Sequence, residues 1–346
     1  MAAEQPGEGL RRILFGLIRH PSWIPIWPTP RALTRPLRVH PLPRGRGKSS
    51  AAATLIGATA ILMWSALALL TAASGAVPPF QLAAMTFSIG ALVGFVWIAA
   101  GRRWRELAQP WPVWALGIVG LFGYHAFYFT ALRNAPPVEA GLIAYLWPLL
   151  IVVFSAMLPG ERLAWFHVAG ALLGLAGTVL IVIRSGGVVF EPAYAIGYLA
   201  ALGCALTWSA YSILSRRFRD TPTGIVAGFC LATAALSALT HLLLEATVWP
   251  QDPLQWLAVL GLGILPVGAA FYVWDHGVKH GDIQLLGAAS YLAPLLSTLI
   301  LILAGFSAFT MKTAAAALLV AAGAALASKD MLKRKPGSGQ GAAPAE

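Results

Sequence analysis

Charge is scarce in this chain: Asp, Glu, Lys and Arg make up only 11% of its 346 residues, while 58% are hydrophobic. A water-exposed globular surface uses about 25% charged residues, so a soluble domain of this length is excluded. The two cysteines, Cys204 and Cys230, each fall inside an apolar stretch, which excludes a disulfide framework and reads as buried thiols. There is no His-Glu-x-x-His helix and no serine matched to a histidine as a nucleophile, so the sequence offers no enzyme centre, metal site or cofactor. Gly47-Lys48-Ser49 ends like a phosphate loop, but Leu42 stands where the first glycine belongs, which removes ATP-driven pumping. The charged rings or carbonyl-rich filter loops of an ion channel are also missing.

What is present is a repeated apolar span. Stretches of roughly 20 residues, each able to cross about 30 Å of hydrocarbon, are expected as helices near 51–73, 80–100, 112–132, 137–157, 165–183, 194–215, 223–244, 256–275, 284–304 and 311–328. Lipid offers backbone groups no water to bond, and nothing here alternates at strand length, so helices are the reading that satisfies them. Residues 1–50 form a basic, Pro/Arg-rich tail in which seven prolines between Pro21 and Pro43 forbid a continuous helix. Trp23 and Trp27 are candidate interfacial anchors there. The net charge of +11 could suggest nucleic acid, but the cations sit at span ends rather than on one soluble face, so no nucleic acid partner is expected. With the N-terminus inside, all of the 24 lysines and arginines except Arg133, Arg184 and Lys312 fall on the inner side. This bias predicts an even number of crossings with both termini cytoplasmic.

The sequence also repeats itself. Trp64-Ser65-Ala66 recurs as Trp208-Ser209-Ala210, and Ala126-Phe127-Tyr128 as Ala270-Phe271-Tyr272, both at an offset of 144. The offset then grows to 146, where Gly141, Tyr145, Leu146, Pro148, Leu149 and Leu150 match Gly287, Tyr291, Leu292, Pro294, Leu295 and Leu296. Each repeat holds five spans, and an odd number inverts the second copy. The expected fold is therefore an all-α membrane protein of ten transmembrane helices in two inverted five-helix repeats, 51–184 and 194–330, followed by a tail over 331–346. Such symmetry is the structural basis of alternating access in carriers.

Thr54-Leu55-Ile56-Gly57 with Met63-Trp64-Ser65, then Tyr145-Leu146-Trp147-Pro148 and Ala289-Ser290-Tyr291-Leu292-Ala293-Pro294, resemble the drug/metabolite transporter superfamily with its paired EamA units. Within it they look similar to the YddG-type aromatic amino acid exporters. The resemblance spans about Ala51 to Lys335 and implies a multi-pass carrier of the bacterial inner membrane that exports amino acids, as a monomer or weak homo-oligomer. An exporter of another small metabolite or drug is the alternative within the superfamily, and an intramembrane enzyme the alternative of a different class. The acidic residue of Pro159-Gly160-Glu161 is not repeated in Ala304-Gly305-Phe306-Ser307. No buried acidic pair suited to proton coupling is visible, which predicts downhill or loosely coupled flux.

A carrier of this symmetry binds substrate at the midplane between its halves. The mid-span candidates for substrate contact are Trp64, Ser65, Tyr124, His125, Tyr128, Tyr145, Trp147, Trp208, Ser209, Ser290 and Tyr291. Together they would stack a planar side chain and hydrogen-bond a polar end; ordinary helix packing is the competing role for each aromatic. His125 stands out because an ionisable group at mid-depth is costly. For Asp275, His276 and His280, at the inner end of the eighth helix, solvation or a pairing with Lys279 is expected, and Glu139, near the outer end of the fourth helix, either lines the mouth or faces the headgroups. Pro148 and Pro294 interrupt their helices and, with Gly141 and Gly287, are the candidate hinges.

Overall fold

The computed structural model describes residues 46–159, 161–183, 190–303 and 308–329. The expectations for Trp23 and Trp27, for 1–45 of the N-terminal tail, for the tail over 331–346, and for Arg184 and Ala304-Gly305-Phe306-Ser307 lie outside these residues, whereas 46–50, expected in the tail, open the helix Arg46–Ser65. Among them, nine helices are long and apolar enough to cross a membrane. They are α1 Ala51–Ala73, α2 Pro79–Ala100, α3 Trp111–Asn134, α4 Pro137–Met157, α5 Trp165–Val182, α6 Pro192–Phe218, α7 Ile225–Leu244, α8 Pro253–His280 and α9 Ile283–Leu303. A tenth, α10 Met311–Ala327, is apolar but shorter. Their starts follow local chemistry. Pro79, Pro137 and Pro253 take the first helical position, where a missing N–H costs nothing. Asp252, Asp282 and Thr310 cap α8, α9 and α10 by accepting from the backbone N–H groups of Gln255, Leu285 and Thr313.

The halves interleave. The α1 helix packs on α8, and its repeat equivalent α6 packs on α3, while α2 pairs with α7 and α5 with α10. Exchanging the halves maps each of these contacts onto another or onto itself, as an inverted repeat requires. Small residues set the crossings. Gly57 and Gly277 meet backbone to backbone where α1 crosses α8. The equivalent α6–α3 crossing holds Ala201 and Ala131, both fully buried. Lipid gives helices no hydrophobic drive to associate, so close approach through small side chains is what holds them.

Five interruptions break the regular helices, the first a turn at Ala66 in α1, between Ser65 and Leu67. The α4 helix breaks at Tyr145-Leu146 and α9 at Ser290-Tyr291, a short step before Pro148 and Pro294. The other two are π turns, Val119–Gly123 in α3 and Leu265–Ala269 in α8. These start 146 residues apart, which corrects the repeat register expected for this region. The likeness of Ala126-Phe127-Tyr128 to Ala270-Phe271-Tyr272 is two positions out of step, and Tyr128 corresponds to Trp274.

The two faces of the bundle differ. At the face where α1 begins, the first half of α9 lies on the second half of α4, so that a side chain at Gly287 would meet Ile151, Val152 and the Pro148 carbonyl. Gln284 Nε2 donates to Ser155 Oγ at 3.1 Å and to the Arg162 carbonyl at 3.3 Å. Arg216 ties the halves together by bonding Glu161 at 2.5 Å and the carbonyls of Val278 and Gly281 at 3.0 and 2.7 Å. The Asp275–Lys279 pair, 2.8 Å apart and buried, is held by Thr223 Oγ1 and the Thr221 carbonyl. At the opposite face the second half of α9 stands away from α4, and Gly141, the equivalent of Gly287, faces open space. There Glu245 accepts from the first backbone N–H groups of α2, at Phe80 and Gln81, and pairs with Arg133 at 2.6 Å; a carboxylate at a helix N-terminus is favoured by the helix dipole.

Gly277→Val should overpack the α1–α8 crossing at about 1–3 kcal/mol and lower the thermal midpoint of the detergent-purified protein by roughly 5 °C. Gly141→Val, which meets nothing, should leave it unchanged. Equal midpoints for the two variants would contradict this account of the crossing.

Candidate functional site

The interruptions converge on one aromatic cluster at mid-depth. Trp64 of α1, Trp147 of α4, Trp208 of α6 and Trp274 of α8 lie with ring centroids 5.0–6.4 Å apart, most of them edge-to-face. That arrangement sets positive ring edges against negative ring faces. Phe271 sits 5.6 Å from Trp208 and stacks on Phe87 at 5.6 Å. The cluster is a plug: Trp274, Trp208 and Trp147 are 0, 3 and 8% exposed, while Trp64 is half-buried.

Above the plug, towards the open face, α3 contributes a ladder of half-buried rings. Tyr124 lies 5.5 Å from Trp208 and stacks on Tyr128 at 6.1 Å. His125 stands edge-on to Phe87 at 4.9 Å, with Phe129 and Phe271 at 5.9 and 6.4 Å. Tyr145 is likewise half-buried, at the α4 break. His125 Nδ1 lies 2.7 Å from the Leu121 carbonyl. A carbonyl only accepts, so Nδ1 carries the proton, and Nε2 is the atom that faces other partners.

Each irregular stretch of backbone is answered by a side chain; at the α1 turn and the α9 break these are Ser65 on the Leu62 carbonyl and Ser290 on the Leu286 carbonyl, and four further bonds serve the other three. The Leu121 carbonyl in the first π turn takes His125. In the second, the Pro266 carbonyl accepts Trp64 Nε1–H at 3.1 Å. At the α4 break, the Tyr145 carbonyl accepts Tyr291 O–H at 3.2 Å and the Trp147 carbonyl accepts Ser209 O–H at 3.0 Å. Three of these four bonds cross between the halves.

The expected site residues therefore divide into two groups. Trp64, Tyr124, His125, Tyr128 and Tyr145 are half-buried, with Trp147 and Trp208 buried beneath them. Ser65, Ser209, Ser290 and Tyr291 are buried, and their hydroxyls bond the carbonyls of Leu62, Trp147 and Ala205, Leu286, and Tyr145 respectively; they hold the frame. Sequence reasoning passed over Trp274, Phe87, Phe129 and the gate-like Arg216. The signal for Trp274 was a tryptophan one turn beyond Phe271, and it becomes visible once the register is set by the π turns. Glu139 sits half-buried in the first turn of α4 near the open mouth. Asp275 is paired with Lys279 rather than solvated, and Cys204 and Cys230 are both buried and free. Among the described residues no cluster of side chains is suited to hold a metal.

Known proteins share this arrangement. The model of the EamA-like transporter family matches residues 51–183 and again 195–329. A protein of Ancylobacter novellus named aromatic amino acid exporter YddG is 62% identical over 282 residues, covering 81% of this chain and 98% of the relative. Proteins of the same name from Salmonella typhimurium and Escherichia coli are 28 and 24% identical, covering 72 and 71% of this chain and 87 and 86% of theirs. A solved crystal structure, 60% identical, superposes with a TM-score of 0.80 over 83% of this chain and 100% of its own. Two matched segments that together span most of the chain and share one interleaved bundle make this chain a member of the EamA-like transporter family.

Proposed function

We propose that the protein exports aromatic and other neutral amino acids across the bacterial inner membrane by alternating access. The observation that carries this reading is the aromatic cluster below the unpacked face at Gly141: packed rings, the phenol groups of Tyr124, Tyr128 and Tyr145, and one histidine whose Nδ1 is engaged by its own helix. A planar side chain stacks against Trp64, Trp208 and Tyr124. The substrate ammonium meets ring faces and hydroxyls, and neutral Nε2 of His125 accepts from it. The name borne by the Ancylobacter relative agrees with this substrate class.

The inner side is the face where α1 begins, because the cation bias places it there. The chamber is then open outward, the state from which an exporter releases its cargo. Loading requires the reverse. The α4 and α9 helices bend at Tyr145-Leu146 and Ser290-Tyr291, the outer halves close over Gly141, and the inner halves part at Gly287 as Arg216 releases Glu161. Pro148 and Pro294 keep both breaks open by removing the backbone donors that would heal them. The buried Trp cluster is the fulcrum.

Purified protein in liposomes should show saturable counterflow of labelled phenylalanine, competed by threonine and methionine. Flux that does not saturate, or a covalently altered substrate, would sink the carrier reading. His125→Ala removes one hydrogen bond to a charged group and should cut apparent affinity about tenfold; because it also strips the Leu121 carbonyl of its side-chain partner, the thermal midpoint should fall by a few degrees. Pro148→Ala and Pro294→Ala should fold normally yet transport at a small fraction of the wild-type rate; wild-type flux from both would refute the hinge role.

A further inference from the structure

Two hollows lie on the outside of the bundle, and they differ in one respect. The hollow between α5 and α10, of about 460 Å³, ends at Lys312, whose ammonium is taken up by the Ile183 carbonyl. The hollow between α3 and α6, of about 660 Å³, ends at Arg217. That guanidinium is exposed, and among the described residues no carboxylate pairs with it; Arg216 beside it is the one that bonds Glu161.

We propose that the α3–α6 hollow binds one acidic phospholipid of the leaflet on the α1-start side, with its phosphate on Arg217 and one acyl chain along the groove. The groove exists because Ala115, Gly120 and Ala210 are small, while Val119, 60% exposed, and Leu214 stand up beside them. It runs along α6 from Leu206 to Arg217, about 16 Å at 1.5 Å per residue. That is about half of a 30 Å hydrocarbon core, so it matches a single leaflet, with its charged end at headgroup depth and its apolar end at the midplane. Its volume falls within the roughly 300–1,000 Å³ of small-molecule sites. A free cation at the mouth of an interhelical groove selects a headgroup with net negative charge over a zwitterionic one, whose own ammonium would compete for the same phosphate. The far end of the acyl chain lies against Val119 and Gly120 in the α3 π turn, directly before Tyr124 and His125. Occupancy therefore supports the irregular turn from its lipid side.

The test is native mass spectrometry of the full chain in mild detergent, titrated in parallel with phosphatidylglycerol and phosphatidylcholine. One phosphatidylglycerol molecule should be retained in preference to phosphatidylcholine. Arg217→Gln should weaken that adduct about tenfold, to the phosphatidylcholine level, with Arg217→Lys restoring most of the preference. Ala210→Trp, which fills the groove while leaving the charge, should remove the adduct. Equal retention of both lipids by the wild type, or undiminished phosphatidylglycerol binding by Arg217→Gln, would overturn the proposal. Arg217 is exposed and unpaired, so that variant decides the matter even if Ala210→Trp does not fold.

Discussion

In lipid, every backbone N–H and C=O must find a partner within the protein, and this constraint governs where the chain can depart from a regular helix. It departs at five places, all of them beside the same aromatic cluster. Each is tolerable because a ring N–H or a hydroxyl answers a nearby carbonyl: Ser65 on Leu62, His125 on Leu121, Tyr291 on Tyr145 and Ser209 on Trp147 at the α4 break, Trp64 on Pro266, and Ser290 on Leu286. The residues that look like binding groups are thus also the residues that make an interrupted backbone possible. Because three of these bonds cross between the halves, the interruptions and the interface are one construction.

That coupling explains the asymmetry of the two faces. An inverted repeat makes its two copies nearly equivalent, so the bundle can close at either end but has no reason to close at both. Here Gly287 is packed and Gly141 is not, with Arg216, Glu161 and Gln284 reinforcing the closed end. Between the ends, four tryptophans keep their edge-to-face packing and separate the chamber from the closed side. Small residues at the α1–α8 and α6–α3 crossings bring these helix pairs into close contact on either side of the cluster.

Much of this was legible in the sequence. Ten apolar runs, the cation bias and the duplicated Trp-Ser-Ala and Tyr-Leu-x-Pro stretches carry the fold class, because span length and repetition survive without tertiary information. Pro148 and Pro294 announced their helix breaks through the missing N–H. Other features were out of reach. The π turn at Val119–Gly123 contains no proline to announce it, and the identical Ala-Phe-Tyr triplet lies two positions out of step with the π turns, so a search for identical triplets settled on the wrong register. Whether a serine faces the chamber or its own helix depends on rotation within a few tens of degrees, which is why Ser65 and Ser290 read as candidates although their hydroxyls bond Leu62 and Leu286. Arg216 looked like one more cation of the positive side; only the fold brings Glu161, 55 residues away, to meet it.

The central claim is that one chamber opens at one face at a time around a fixed aromatic plug. It is tested most directly by thiol accessibility at the two equivalent glycines, in a background lacking Cys204 and Cys230. A cysteine at position 141 should react with a membrane-impermeant maleimide while one at 287 is protected, and any condition that protects the first should expose the second. Simultaneous labelling of both positions, or protection of both under every condition, would contradict the account.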